Sequence, residues 1–79
     1  MLTPIKMPNL GTEAISGRIV GWLRSVGDAV AASDVVAEVE TEKALVEIEA
    51  PVAGTIVEIV RPRGEDVLVG DVLAVIEHD

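Results

Sequence analysis

The stretch VETEKALVEI, residues Val39 to Ile48, decides the fold. Folded about the midpoint between Glu42 and Lys43, it sets Val39 opposite Val46. One step further out, Glu38 falls opposite Glu47 and Ala37 opposite Ile48. Apolar residues meet on one face and acids on the other, the pattern of a β-hairpin with a single buried face. No Asn-Gly or Asp-Gly is present to make a tight primed turn. The sequence therefore predicts a four-residue loop, Thr41 to Ala44, built around a type I turn, with Lys43 at the exposed tip. The Glu38–Glu47 pair sets like charges side by side and works against stability. Lysine is scarce, Lys6 and Lys43 being the only two.

Outward from the hairpin, the chain repeats itself. Shifted by 37 residues, Gly17 falls on Gly54, Ile19 on Ile56, Val20 on Val57 and Gly27 on Gly64. In the same frame Val30 meets Val67, Asp34 meets Asp71, Val35 meets Val72, Ala37 meets Ala74 and Glu40 meets Glu77. Two copies of one β-unit, neither able to bury its apolar face alone, predict a closed or nearly closed barrel with a pseudo-twofold axis. The matched glycines are expected at turns or bulges with unusual backbone angles. Upstream, Ile5-Lys6-Met7-Pro8 matches Ile48-Glu49-Ala50-Pro51 at an offset of 43, so the first copy holds six extra residues between Pro8 and Gly17. Glu40 has Glu77 as its mate, which sets the chain ends at the pole opposite Lys43 and suits a domain tethered by a linker.

Composition agrees with strands. Val and Ile make up 21 of the 79 residues, and Phe and Tyr are absent. Branched aliphatics suit a half-buried pleated surface and lose side-chain freedom in helices. Alternating runs separated by Gly-Asp, Ser-Asp, Arg-Pro-Arg-Gly and Ala-Pro predict strands near Pro4–Met7, Ile15–Arg24, Val35–Glu40, Ala44–Glu49, Thr55–Val60 and Val72–Glu77. Very short strands are expected around Val30 and Val67. The length allows one domain, residues 1–79. No secretory or membrane-length apolar run occurs, so the chain is expected to be soluble and intracellular: cytoplasmic, or in the mitochondrial matrix of a eukaryote. With no cysteine there is no disulfide, thiolate nucleophile or cysteine metal site, and any thiol chemistry must come from an attached group. A net charge of −8 argues against nucleic acid or an anionic membrane as partner.

These residues resemble the lipoyl/biotinyl attachment domains. The resemblance runs from Ile5-Lys6-Met7-Pro8 through Gly17-Arg18-Ile19 and Gly27-Asp28 to Ala50-Pro51-Val52-Ala53-Gly54 and Asp71-Val72-Leu73. It implies a flattened all-β barrel-sandwich of two four-stranded antiparallel sheets, with a modified lysine at a hairpin tip. Biotinyl domains of that family carry methionines beside the lysine, whereas lipoyl domains carry Glu-Thr-Asp-Lys-Ala or close variants. Glu40-Thr41-Glu42-Lys43-Ala44 is similar to the lipoyl type, with Glu42 in place of the usual Asp.

The resemblance implies lipoate in amide linkage to Lys43, flanked by Glu40, Thr41, Glu42 and Ala44, on a non-catalytic carrier with a swinging arm. The implied partners are a thiamin-diphosphate-dependent 2-oxo acid decarboxylase, an acyltransferase core, a dihydrolipoamide dehydrogenase and a lipoate ligase or lipoyl transferase. The corresponding loop in such proteins helps the decarboxylase recognise its carrier, which singles out Asn9, Leu10, Gly11, Thr12 and Glu13 for partner recognition. Two other readings stay open: a biotinyl carrier, and an unmodified structural adaptor of the same fold. Taken alone, a lysine between glutamates at a turn is ordinarily a solvated charge. Lys6, although followed by Met7, has the mid-strand Glu49 as its mate and is read as an outward-facing strand residue. His78 near the terminus suggests no catalytic role, and Trp22 is read as a packing residue. The acids form no metal or acid–base cluster.

Overall fold

Residues 1–8 and 16–79 are described by the structure, a computed structural model. They form eight strands and no helix: β1 (Leu2–Lys6), β2 (Ser16–Trp22), β3 (Ala29–Val30), β4 (Val35–Glu40), β5 (Leu45–Glu49), β6 (Gly54–Ile59), β7 (Asp66–Leu68) and β8 (Val72–Glu77). All six predicted strands and both short ones are present; Val35–Glu40 and Val72–Glu77 match at both ends, and elsewhere the ends differ by at most two residues. The first begins at Leu2 and the second stops at Trp22. Ile15, the predicted start of the second strand, lies outside the described residues.

Two four-stranded antiparallel sheets, ordered β1-β8-β6-β3 and β5-β4-β2-β7, face each other. The 37-residue shift carries β2 onto β6, β3 onto β7 and β4 onto β8, and the offset of 43 carries β1 onto β5. One sheet order thereby becomes the other. Each sheet contains strands from both copies, because β1 and β3 join the second copy's β6 and β8. Irregularities in the ladder repeat as well: β2 slips against β4 between Ile19 and Gly21, and β6 against β8 between Ile56 and Glu58.

The core shows why the halves need each other. Among the described residues the fourteen buried hydrophobic ones are seven symmetry pairs: Ile5 with Ile48, Met7 with Ala50, Ile19 with Ile56, Val30 with Val67, Val36 with Leu73, Ala37 with Ala74, and Val39 with Ile76. No polar or charged residue among the described ones is buried. Trp22 packs against this core as expected, and its indole Nε1 also donates to the Arg61 carbonyl at 2.9 Å, tying one copy to the other. The outer edges carry their own protection against stray strand pairing. Pro4 lies in edge strand β1, and Glu47 and Glu49 lie in edge strand β5.

The glycines divide into two kinds, which corrects the expectation that all four matched ones have unusual angles. Gly27 and Gly64 do have positive φ, 95° and 93°. Gly17 and Gly54 lie within strands and do not; there the absence of a side chain permits close approach. A Cβ on Gly17 would lie 2.5 Å from a Val39 methyl and 2.9 Å from the Glu40 carbonyl oxygen. A Cβ on Gly54 would collide with the equivalent Glu77 carbonyl and Ile76 methyl. A second positive-φ pair escaped the sequence comparison because only one member is glycine: Ser33 at 72° and Gly70 at 91°.

The hairpin register fixes which side chains are buried, so it can be checked energetically. Val39 is fully buried and opposite the partly buried Val46. A domain of this length has a total stability of about 4–12 kcal/mol. Val39→Ala is expected to remove about 1–3 kcal/mol through lost burial and a partial cavity. The shift of the urea midpoint measures it, and an unshifted midpoint contradicts the register.

Candidate functional site

The lysine hairpin joins β4 to β5, with Ala37 opposite Ile48, Glu38 opposite Glu47, Val39 opposite Val46 and Glu40 opposite Leu45. Beyond that last pair the chain turns over Thr41, Glu42, Lys43 and Ala44. The Thr41 amide donates to the Ala44 carbonyl at 2.8 Å and closes the loop. The Thr41 hydroxyl donates to the same carbonyl at 3.0 Å. It also accepts from the Ala44 amide at 3.2 Å and the Lys43 amide at 3.4 Å. All four predicted loop residues lie where the sequence places them. Glu42, Lys43 and Ala44 are exposed, while Thr41 is half-buried.

Lys43 makes no ion pair among the described residues, although glutamates flank it. Beside the hairpin Arg18 does find a partner: its Nε donates to Asp66 Oδ1 at 3.1 Å. Arg18 stands beside Glu40 in one ladder and beside Asp66 in the other. A shallow cleft beside the hairpin is lined by Ser16, Gly17, Arg18, Glu40, Thr41, Glu42 and Asp66. Its symmetry mate at the opposite pole is lined by Met1, Ala53, Gly54, Thr55, Glu77, His78 and Asp79. The terminal cleft is the larger of the two, but it carries no lysine, so cavity size does not mark the site. There the Met1 ammonium donates to the His78 carbonyl at 2.6 Å, and the His78 ring meets the Thr3 hydroxyl at 2.6 Å. His78 thus ties the two end strands together.

Glu40, Thr41, Glu42, Lys43 and Ala44 are gathered into one tip. Asn9, Leu10, Gly11, Thr12 and Glu13 lie outside the described residues. Ser16, just downstream of that segment, pairs with Leu68 and lines the lysine-side cleft. Lys6 faces outward from β1, as expected. Sequence reasoning missed the Arg18–Asp66 pair, whose members lie 48 positions apart on strands that the repeat alone does not bring together. It also missed the hydrogen bonding of Thr41, which the Thr–x–x–Ala spacing within a four-residue loop would have signalled.

The hairpin thus places one exposed lysine, without an ionic partner among the described residues, at one pole of a twofold all-β fold. Residues 3–76 match the protein family described as "Biotin-requiring enzyme", which groups biotin- and lipoyl-type domains. The dihydrolipoyllysine-residue acetyltransferase component of the pyruvate dehydrogenase complex of Corynebacterium glutamicum is 46% identical over 72 residues, 91% of this chain. The chain spans only 11% of that relative's length. Among solved structures, the lipoyl domain of the 2-oxoglutarate dehydrogenase complex of Azotobacter vinelandii is 31% identical, with a TM-score of 0.75 and 95% of both chains covered. The urea carboxylase of Kluyveromyces lactis is 27% identical, with a TM-score of 0.83, covering 98% of this chain and 6% of that one. The chain belongs to the biotin/lipoyl family and has the fold of a lipoyl domain. Membership implies a covalently attached lipoate or biotin.

The hairpin is seated on Gly17, whose backbone lies against Val39 and Glu40. Gly17→Ala forces the new methyl against a backbone carbonyl that cannot yield. It is expected to cost about 1–3 kcal/mol, read as a lowered urea midpoint. An unchanged midpoint would show that the two strands separate there without penalty.

Proposed function

We propose that Lys43 carries lipoate in amide linkage and that the chain is the lipoyl carrier of a 2-oxo acid dehydrogenase complex. The observation that carries this reading is the tip itself: an exposed Lys43, free of ion pairs among the described residues, between Glu42 and Ala44. The residues fit such a group. The amine is unobstructed, Ala44 adds no bulk beside it, and the loop is tied by its own hydrogen bonds. Amide formation removes the amine's positive charge and takes the net charge from −8 to −9. When bound, lipoate supplies a dithiolane, redox and acyl-carrying chemistry that a chain without cysteine cannot provide.

The residues do the presenting. The β4–β5 ladder and its seat on Gly17 give the lysine a fixed base, and the lysine's own methylenes give it reach. The acids Glu38, Glu40, Glu42 and Glu47 leave the pole negative once Lys43 is acylated. A thiamin-diphosphate-dependent 2-oxo acid decarboxylase, an acyltransferase core and a dihydrolipoamide dehydrogenase are the partners this reading implies, with a lipoate ligase or lipoyl transferase for loading. Tethering within such a complex would hold the arm at an effective concentration on the order of millimolar. The biotin alternative draws on the higher TM-score of the urea carboxylase. That score measures the shared barrel, whereas the residues beside the lysine, Glu42 and Ala44, include no methionine.

Incubation with lipoate ligase, lipoate and ATP, followed by peptide mass mapping, is expected to place a single adduct on Lys43. Biotin ligase with biotin and ATP is expected to leave the chain unmodified. An adduct on Lys6, or none with a ligase of proven activity, contradicts the proposal. Lys43→Arg keeps the fold and takes no adduct, because a guanidinium is not the amine nucleophile required.

The extra segment of the first copy, which includes Asn9, Leu10, Gly11, Thr12 and Glu13, is proposed to contact the decarboxylase. Deleting the six residues from Leu10 to Ile15 matches the second copy's length. The deletion is expected to preserve folding, by circular dichroism, and modification of Lys43, while acyl loading by the decarboxylase falls sharply. A folded, modified deletion variant loaded at the wild-type rate would make the segment a neutral insertion.

A further inference from the structure

The loop Thr41–Ala44 contains no glycine or proline. The positive-φ residues among those described are Gly27, Gly64, Gly70 and Ser33, so the tip uses no left-handed residue. Such a loop lacks the backbone twist that closes a tight hairpin by itself. The last ladder pair is Glu40 with Leu45, which leaves the Lys43 and Ala44 amides beyond the sheet. Thr41 fills this gap with one hydroxyl. Its proton goes to the Ala44 carbonyl, and its lone pairs receive the Ala44 amide at 3.2 Å and, more weakly, the Lys43 amide at 3.4 Å. The other branch of the same side chain faces the barrel: the Thr41 γ-methyl lies 3.4 Å from where a Cβ on Gly17 would be.

We propose that Thr41 is a positioning residue for acylation of Lys43, its hydroxyl holding the tip in the conformation that the modifying enzyme engages and its methyl seating that tip on Gly17. This rests on the reading of Lys43 as the acylated residue. The repeat supports a local rather than an architectural role. The mate of Thr41 is His78, whose ring meets Thr3 instead, so the barrel closes at the equivalent position without a threonine. Acyl transfer to an amine requires the nucleophile in a narrow range of positions. A tip released from the hydroxyl spends only part of its time in the competent arrangement, and apparent affinity falls by that fraction.

The two branches of Thr41 can be removed separately: Thr41→Val keeps a methyl at the Gly17 seat and loses the hydroxyl, and Thr41→Ser does the reverse. Wild type and both variants are compared by urea melting, by amide hydrogen exchange at Lys43 and Ala44, and by initial rates with lipoate ligase, lipoate and ATP. Thr41→Val is expected to melt close to wild type, to exchange faster at the two tip amides, and to lose about tenfold in kcat/KM through a raised KM. Thr41→Ser is expected to restore slow exchange and most of the rate. Thr41→Ala, which adds no bulk beside Gly17, replaces Thr41→Val if the latter melts early. A hydroxyl-less variant that is folded, exchanges faster and is still modified at the wild-type rate overturns the inference. So does a Thr41→Ser variant as slow as Thr41→Val. Failure of the wild type to accept lipoate at Lys43 is a different result and strikes the proposed function itself.

Discussion

Neither half of this chain can bury its own apolar face, and the rest of the architecture depends on that constraint. The seven pairs of core residues are contributed evenly by the two copies, and the copies exchange their outer strands rather than stacking as separate layers. Ile19 and Ile56, Val36 and Leu73, and Val39 and Ile76 occupy matching positions around one axis. Among the described residues burial comes from aliphatic side chains and Met7, with Trp22 packed against them, and a chain without cysteine has no disulfide to add to it. Among the described residues no polar or charged residue is fully buried, and the one buried side-chain nitrogen without a partner, Arg61 Nε, lies where the Arg61 carbonyl receives the Trp22 indole.

At the two poles the backbone symmetry is kept while the side chains differ. Gly17 and Gly54 give both poles the same close approach of strands. One pole then carries Thr41, Glu42 and Lys43, and the other carries His78 and Asp79. The like-charged neighbours Glu38 and Glu47 contribute nothing favourable to the sheet. Their place on the outer face of the lysine-bearing strands adds negative charge to the pole, which the proposed acylation of Lys43 would increase.

Most of the fold was legible because burial in a two-sided barrel imposes period-two alternation and the repeat states it twice. The hairpin register followed from polarity alone: Val39, Glu38 and Ala37 found their partners without any knowledge of neighbouring strands. Close approach was not legible. A glycine in a strand and a glycine in a turn look alike in sequence, and only the placement of Glu40 and Val39 over Gly17 tells them apart. The Ser33–Gly70 pair was hidden for the opposite reason, since a serine tolerates there a backbone angle that glycine adopts freely. A similar compensation separates Asp28 from Glu65. Asp28 accepts the Ser25 amide at 2.8 Å, but the mate of Ser25 is Pro62, which has no amide to offer. Glu65 reaches Arg61 at 3.6 Å instead.

The exchange of strands between the copies gives a symmetric structure an asymmetric order of assembly. In the sheet that bears Lys43, β2, β4 and β5 all come from the first 49 residues, and β4 and β5 are joined by the hairpin itself. The other sheet has no such head start: β1 pairs only with β8, so Leu2 must wait for Glu77. That pairing spans nearly the whole chain and carries the larger loop-closure cost, which places it on the slow side of folding. During synthesis on the ribosome, the lysine hairpin and its seat on β2 are therefore complete in sequence well before the barrel can shut at the opposite end.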